Sequence, residues 1–390
     1  MRVLQILCYY YPKIGGIETV AQDISSAISK KYPDAEQKII CLNEDASSLT
    51  HTCHRKENQV DNIDGVEITR CKCVAKISSQ SISFSFGKQL KKIINYFNPD
   101  LVIFHYPNPL EGRYVKKYLR KDCKFIVFYH LDITKQKILG KFFIHQTNWL
   151  LDRADKIIST SPIYAKESPF LSKHPDKVSI VPLCIGKNRL LDNDEIQADA
   201  KKIMKEYEGK TLCFFYGRHV PYKGLEYLIK ANEFVDRNNI EFVIGGRGPL
   251  TEQLEEQAKS YNNIHFVGSL TDSQINSYLK ACDLFAFPSI TKNEAFGIAL
   301  AEALYYGKPA LTFTNPGSGV NWVSVDNETG LEAANKDVEK YAENINKLAA
   351  DSNLRKQLAI NAKKRAEKYF TIKAFENNIM DVIDNVMEDK

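Results

Sequence analysis

The chain has 390 residues, 44% of them hydrophobic and 26% charged, which excludes a disordered or fibrous protein and calls for two cores rather than one. The net charge of +5 is uneven, +10 up to residue 187 and −5 beyond it, so the halves face different partners. No finger, basic zipper or aromatic RNA-binding signature accompanies the positive half, which sets nucleic acid aside in favour of an anionic small molecule or a membrane surface.

MRVLQILCYYYPKIGG opens the chain with an apolar run too short and too tyrosine-rich for a signal peptide, and reads as a first buried strand followed by a glycine loop. Gly15 and Gly16 follow the strand, ahead of a helix expected from about Ile17. Paired glycines there let backbone amides approach an anion, and a plain tight turn stays open as the other reading. QKIICL, VEITR, DLVIF, KFIVFY, KIIST and VSIVP continue as near-continuous apolar runs separated by amphipathic stretches. That alternation specifies βαβ units and a parallel sheet buried on both faces. The rhythm breaks in the polar, acidic stretch 188–210, which reads as a linker. TLCFFYG, IEFVIGG, IHFVG, DLFAFP and PALTF then build a second sheet. The expected organisation is a doubly wound domain over 1–187, a linker over 188–210, a second doubly wound domain over 211–370, and a C-terminal helix over 371–390. The apolar side of that helix (Phe375, Ile379, Val382, Val386) needs the second domain or a return to the first. The nine scattered cysteines lack a CxxC pair and fit reduced structural thiols. With no apolar stretch long enough to cross a bilayer, a cytoplasmic location is expected.

Ligands of doubly wound sheets bind beyond the carboxyl ends of the strands, and a cleft between two such domains is the default active site. Arg218 and Lys223, in GRHVPYKG, follow a strand and can clamp a diphosphate. GGRGPL at 245–250 is a second glycine loop of the same kind. In NEAFGIALAE a helix begins near Gly297, which puts Glu294 on the loop and Glu302 on the helix, with the amides of Phe296, Gly297 and Ile298 at its N-terminus. A carboxylate, an anion cradle and a second carboxylate match the hydroxyls, phosphates and ribose of a sugar nucleotide. His130 ends the strand KFIVFY, where a plain core role is disfavoured; Asp132 at i+2 is placed to orient it or the acceptor, and His105 ends another strand. Asp192-Asn193-Asp194 is a DxD, but it lies in the linker without a preceding strand and reads as a turn or helix cap, so no metal site is assigned. The segment 133–150 carries Ile138, Leu139, Phe142, Phe143 and Trp149 at helical spacing beside Lys135, Lys137 and Lys141. Packing on the core and lying on an anionic membrane both remain open for it.

The joint pattern resembles the family 4 retaining glycosyltransferases of the GT-B fold. It rests on Glu-x7-Glu with Phe-Gly inside, ACDLFAFPS before it, GKPALTF after it, and GGIETV, GRHVPYKG, IHFVGSL and GSGVNWV. The resemblance implies two Rossmann-like domains facing a cleft, a sugar-nucleotide donor held by the second, and transfer without cofactor or metal. It implies that Glu294 holds donor-sugar hydroxyls, Glu302 the ribose, and Arg218 with Lys223 the diphosphate. Phe296, Gly297 and Ile298 add backbone contacts, Val267 meets the base through its main chain, Gly16 lets the first loop reach the phosphates, and His130 touches the donor sugar. VPLCIG departs from the family's usual Pro-x-Gly-x-Asp run at Cys184 and Gly186. Within the family, YYPKIGGIETV, HLDITKQK and GSGVNWV look like bacterial O-antigen, capsule or exopolysaccharide enzymes. The expected reaction is mannose transfer from GDP-mannose to a glycan or lipid-diphosphate-linked acceptor, with peripheral contact at the cytoplasmic membrane face. A UDP-sugar-dependent transferase, a non-catalytic sugar-nucleotide-binding protein and an epimerase are the competing readings.

Overall fold

The computed structural model of the chain describes residues 1–12, 15–44, 56–77, 80–132, 137–186 and 189–388. They form two compact units: Met1–Thr160 with Ala165–Val181 and Glu376–Lys390, and Ser161–Tyr164 with Pro182–Phe375.

The first unit holds β1 (Arg2–Ile6), β2 (Glu36–Leu42), β3 (Gln59–Ile63), β4 (Val66–Cys71), a small hairpin of β5 (Ala75–Ile77) and β6 (Gln80–Ile82), then β7 (Leu101–Tyr106), β8 (Lys124–Tyr129), β9 (Lys156–Ser159) and β10 (Val178–Ile180). Eight of them make one sheet in the order β10-β9-β8-β7-β1-β2-β4-β3, parallel except for β3 against β4. LVIFHY of β7 is buried at every position, as a strand covered on both faces requires. The helix Gly16–Lys31 covers one face, burying Val20, Ala21, Ile24, Ala27 and Ile28. The chain winds outward from β1 to β2 and β4, then returns to lay β7 on the other side of β1. The winding therefore reverses between β1 and β7, where the carboxyl ends leave a crevice.

In the second unit β11 (Thr211–Tyr216), β12 (Ile240–Gly245), β13 (Ile264–Gly268), β14 (Leu284–Phe287), β15 (Ala310–Phe313) and β16 (Gly330–Ala333) form an all-parallel sheet in the order β13-β12-β11-β14-β15-β16. Its reversal lies between β11 and β14. Phe214, Phe242, Phe285, Leu311 and Phe313 fill the interior on either side of the sheet; each such side chain contributes roughly 1.5–3 kcal/mol through its removal from water.

One expectation changes here, and one open choice is resolved. Residues 188–210 do not form a free linker, because a helix Asp194–Glu206 lies within them, buries Ile196 and Ala200, and packs on the helix Asp272–Ala281 of the second unit. Asn193 caps that helix by accepting from the Ile196 amide at 2.9 Å, and Asp192 pairs with Lys280 at 2.9 Å, so the first DxD carboxylate and the amide between the two are occupied in local structure. The C-terminal helix Ile372–Glu388 buries Phe375, Ile379, Ile383 and Val386, and from Glu376 onward it belongs to the first unit, with Glu376 paired to Lys30 and Asp384 to Lys31. The eight described cysteines form no disulfide with one another, and burial pushes the Cys41 and Cys282 thiols up to about 12, which leaves them unreactive. Among the described residues no helix is long and apolar enough to cross a membrane.

Candidate active site

The carboxyl ends of β11 and β14 carry the two loops that hold most of the expected residues. After β11 the chain runs through Gly217 to Lys223 and turns at Gly224, whose φ of 66° is left-handed. A Cβ at Gly224 would strike the Pro288 carbonyl and lie 3.1 Å from Ile290 Cγ2, so only glycine lets this loop press against the loop after β14. That pressure delivers Lys223. Its side chain is nearly buried, its Nζ stands 4.7 Å from the centre of the Phe287 ring, and it forms an ion pair with Glu294. Arg218, on the same loop, is exposed. Lys223 and Glu294 are therefore brought together directly, with each neutralising the other.

Glu294 sits on a loop fixed from behind by the segment 315–319. Asn315 Nδ2 donates to the Thr291 carbonyl at 2.8 Å, Ser318 Oγ to the Glu294 carbonyl, and the Gly319 amide to the Ala295 carbonyl at 3.0 Å. Phe296 points inward, 3% exposed, with its ring edge-on to Phe370 at 5.5 Å. Gly297 follows at φ 94°, and the helix Ile298–Tyr305 starts after it without a side-chain cap. Its first-turn amides are thus available to an anion. Glu302 lies one turn further in and is fully buried. Both its oxygens are taken by Arg189, Nε to Oε1 at 2.9 Å and Nη2 to Oε2 at 3.3 Å, and Arg189 also pairs with Asp272. Burial pushes the Glu302 carboxyl up, and the Arg189 guanidinium opposes that shift. Arg189 is a site residue that sequence reasoning missed. The only trace it left is a lone arginine in an acidic stretch.

Val267 lies in β13. Phe266 stands opposite Ile244 and Gly268 opposite Gly245, so Val267 has no counterpart in the ladder and bulges from the sheet. The Arg247 guanidinium lies over this bulge, with Nη2 3.3 Å from where a Gly268 Cβ would be. Gly246 and Gly248 are needed for a different reason from ligand approach: a Cβ on either would run into the backbone of Gly217 or His219. His219, fully buried, ties the two loops by a 2.9 Å bond between its Nδ1 and Thr251 Oγ1.

In the first unit, Gly15 is extended at φ −163° and Gly16 begins the helix after β1. Nothing lies within 4 Å of a Cβ built on Gly16, so the fold itself does not demand glycine there. Gly16→Ala should therefore leave the melting temperature unchanged. If a phosphate approaches this backbone, the substitution should weaken donor binding about tenfold, the order of one charge-assisted hydrogen bond. Unchanged affinity in a donor titration would remove Gly16 from the site.

His130, at the end of β8, is 6% exposed, and His105, at the end of β7, is 1% exposed. Their rings meet through His105 Nδ1 and His130 Nε2 at 3.1 Å, and His105 Nε2 meets Gln5 Oε1 at 2.9 Å. Burial lowers the His105 imidazole to about 3; burial, aided by His105, holds His130 well below its ordinary value, so both are neutral. Asp132 does not orient His130. Its Oδ1 accepts from Tyr129 and Ser168, each at 2.8 Å. Of the segment 133–150, residues 133–136, including Lys135, and the side chains of Lys137, Ile138, Leu139, Lys141 and Phe142 lie outside the described residues. The later part of the helix Lys137–Arg153 packs inward through Thr147, Leu150 and Leu151. In VPLCIG the first five residues are buried and Gly186 is partly exposed, with the Ile185 amide donating to the Phe370 carbonyl at 2.8 Å.

Known proteins match this chain from end to end. The family model of Glycosyltransferase Family 4 matches residues 14–189, and that of Glycosyl transferases group 1 matches residues 196–365. The O-antigen chain mannosyltransferase C of Escherichia coli is 27% identical over 395 residues, with all of both chains covered. The D-rhamnosyltransferase WbpZ of Pseudomonas aeruginosa is 27% identical over 312 residues, 79% of this chain and 78% of that one. A sucrose-phosphate synthase from Thermosynechococcus elongatus has the same fold, with a TM-score of 0.78 at 17% identity over the whole of both chains.

Proposed function

Because the chain belongs to the family 4 glycosyltransferases, with their GT-B fold, we propose that it transfers mannose from GDP-mannose, with retention, to a glycan or lipid-diphosphate-linked acceptor in the synthesis of a bacterial surface polysaccharide such as O-antigen. The observation that carries this reading is the full-length similarity to an O-antigen chain mannosyltransferase. The geometry of the second unit supports the donor half. Lys223, Arg218 and the uncapped start of the helix Ile298–Tyr305 gather positive charge at the β11/β14 reversal, suited to a leaving diphosphate. We assign Glu294 to hydroxyls of the donor sugar, Glu302 to the ribose with Arg189 yielding or sharing its oxygens, and the Val267 main chain to the base. Gly15 and Gly16 are assigned to the phosphates and His130 to a sugar hydroxyl. With that cationic provision we assign neither metal nor cofactor.

In this scheme the acceptor hydroxyl attacks the anomeric carbon on the face from which the phosphate leaves, and the departing phosphate oxygen takes its proton. No enzyme carboxylate becomes a covalent nucleophile, unlike the paired carboxylates of retaining glycosidases. The charge of +10 in the first 187 residues supports an acceptor carrying phosphate, and with it peripheral contact with the inner face of the plasma membrane.

A thermal-shift comparison of GDP-mannose, UDP-sugars and dTDP-sugars tests the donor. At a hundredfold excess over its dissociation constant a ligand of the folded state adds about 2.7 kcal/mol, which raises the melting temperature by roughly 5 °C or more. GDP-mannose is expected to give the largest shift, and a larger one from a UDP-sugar would replace it as the donor.

A further inference from the structure

We propose that Gln5 and His105 are positioning residues that fix the tautomer of His130, holding its proton on Nε2 and leaving Nδ1 as a bare acceptor for a sugar hydroxyl. The substrate-facing end of this statement rests on the role given to His130 above; the relay itself rests on hydrogen-bond geometry together with the neutrality that burial gives both rings.

The three side chains come from adjacent parallel strands in the order β8-β7-β1. Gln5 sets the polarity. Its Nε2 lies 3.1 Å from the Ala21 carbonyl and 2.7 Å from Ser25 Oγ. A backbone carbonyl only accepts, so the amide nitrogen must be on that side and Oε1 must face His105. At 2.9 Å, Gln5 Oε1 needs a donor, so His105 carries its proton on Nε2. His105 Nδ1 is then a lone pair, and His130 Nε2, 3.1 Å away, must donate to it. One proton per neutral imidazole leaves His130 Nδ1 without hydrogen, and among the described residues it has no hydrogen-bond partner.

Packing prevents escape from this arrangement. Phe128 stacks on His130 at 4.4 Å and on His105 at 5.8 Å, and Gln5 and His105 are each 1% exposed. Reversing either ring would set lone pair against lone pair in a site where water cannot relieve it. The substrate group recognised by His130 must therefore be a hydroxyl that donates. His130 has no proton at Nδ1 to give, so it serves as a positioning acceptor and not as a general acid.

Histidine-selective 15N NMR of the full chain tests this directly. At pH 7.5 His130, assigned by the signal lost in His130→Gln, should show a protonated Nε2 and an unprotonated Nδ1. A proton on Nδ1, or an imidazolium, would overturn the proposal. His105→Leu removes the acceptor, so the His130 signals should move toward a tautomer mixture while transfer falls about tenfold, one hydrogen bond's worth. His105→Asn, whose Oδ1 lies near the lost Nδ1, should recover both. If His105→Leu fails to fold, Gln5→Leu tests the same polarity from the other end. Equal tautomers in wild type and the folded variants would sink the relay. A predicted tautomer with unimpaired transfer in His130→Ala would instead sink the assignment of His130 to the substrate.

Discussion

Glu294→Gln is expected to lower kcat about 100-fold while leaving the donor KM unchanged or lower. The carboxylate is assigned to sugar hydroxyls, and hydrogen bonds to a charged group are worth about 1.5–3 kcal/mol, or one to two orders of magnitude in rate. The split between kcat and KM follows from the ion pair with Lys223. Removing the carboxylate's charge frees Lys223 for the diphosphate, so the donor binds at least as well, while the sugar loses its anchor. Steady-state kinetics with varied donor measure both terms. Wild-type turnover in this variant would show that Glu294 does not hold the reacting sugar.

Gly319→Ala should abolish transfer with a change of a single methyl group. Its Cβ would fall well inside contact distance of the Ala295 carbonyl and 3.1 Å from Ser161 Oγ. The φ of −75° at Gly319 is ordinary, so the requirement for glycine comes from closeness and not from backbone strain. The Ala295 carbonyl must retreat, and with it the loop that carries Glu294, Phe296 and Gly297. Overpacking of this sort costs about 2 kcal/mol; for a unit of this size that lowers the melting temperature by about 5 °C. The diagnostic result is a folded protein at 25 °C that has lost activity. A variant with unaltered kinetics would mean the 315–319 segment does not set the position of Glu294.

The strands that frame the site were legible because they are buried on both faces and so spelled in unbroken apolar runs, as in KFIVFY and TLCFFYG. Those that escaped notice have no such need. QVDNI of β3 pairs antiparallel at the sheet edge with alternate residues exposed, and β16 is four residues long. The helix Asp194–Glu206 passed for a linker because its inward stripe is only Ile196 and Ala200. The candidate site was half legible for a related reason. Glu294, Gly297 and Glu302 sit within one short stretch, so their spacing carried meaning. Arg189 meets Glu302 from 113 residues away and Gln5 meets His105 from 100 residues away, partnerships that exist only once strands and helices are laid side by side. Asp132 looked like the orienting group for His130 because it was near in sequence; the neighbouring strand supplied His105 instead.

The two carboxylates of NEAFGIALAE each begin with a cation of their own, Lys223 for Glu294 and Arg189 for Glu302. On the assignments proposed above, a donor would not meet a bare positive pole. It would enter by exchange, its diphosphate taking Lys223 from Glu294 as its sugar hydroxyls take Glu294 from Lys223. The same exchange would run backward after transfer: once the sugar has gone, Glu294 would reclaim Lys223, and the nucleoside diphosphate would lose a counter-ion at the moment it has to depart. On that assignment the ion pair is also the competitor that clears the site for the next turnover.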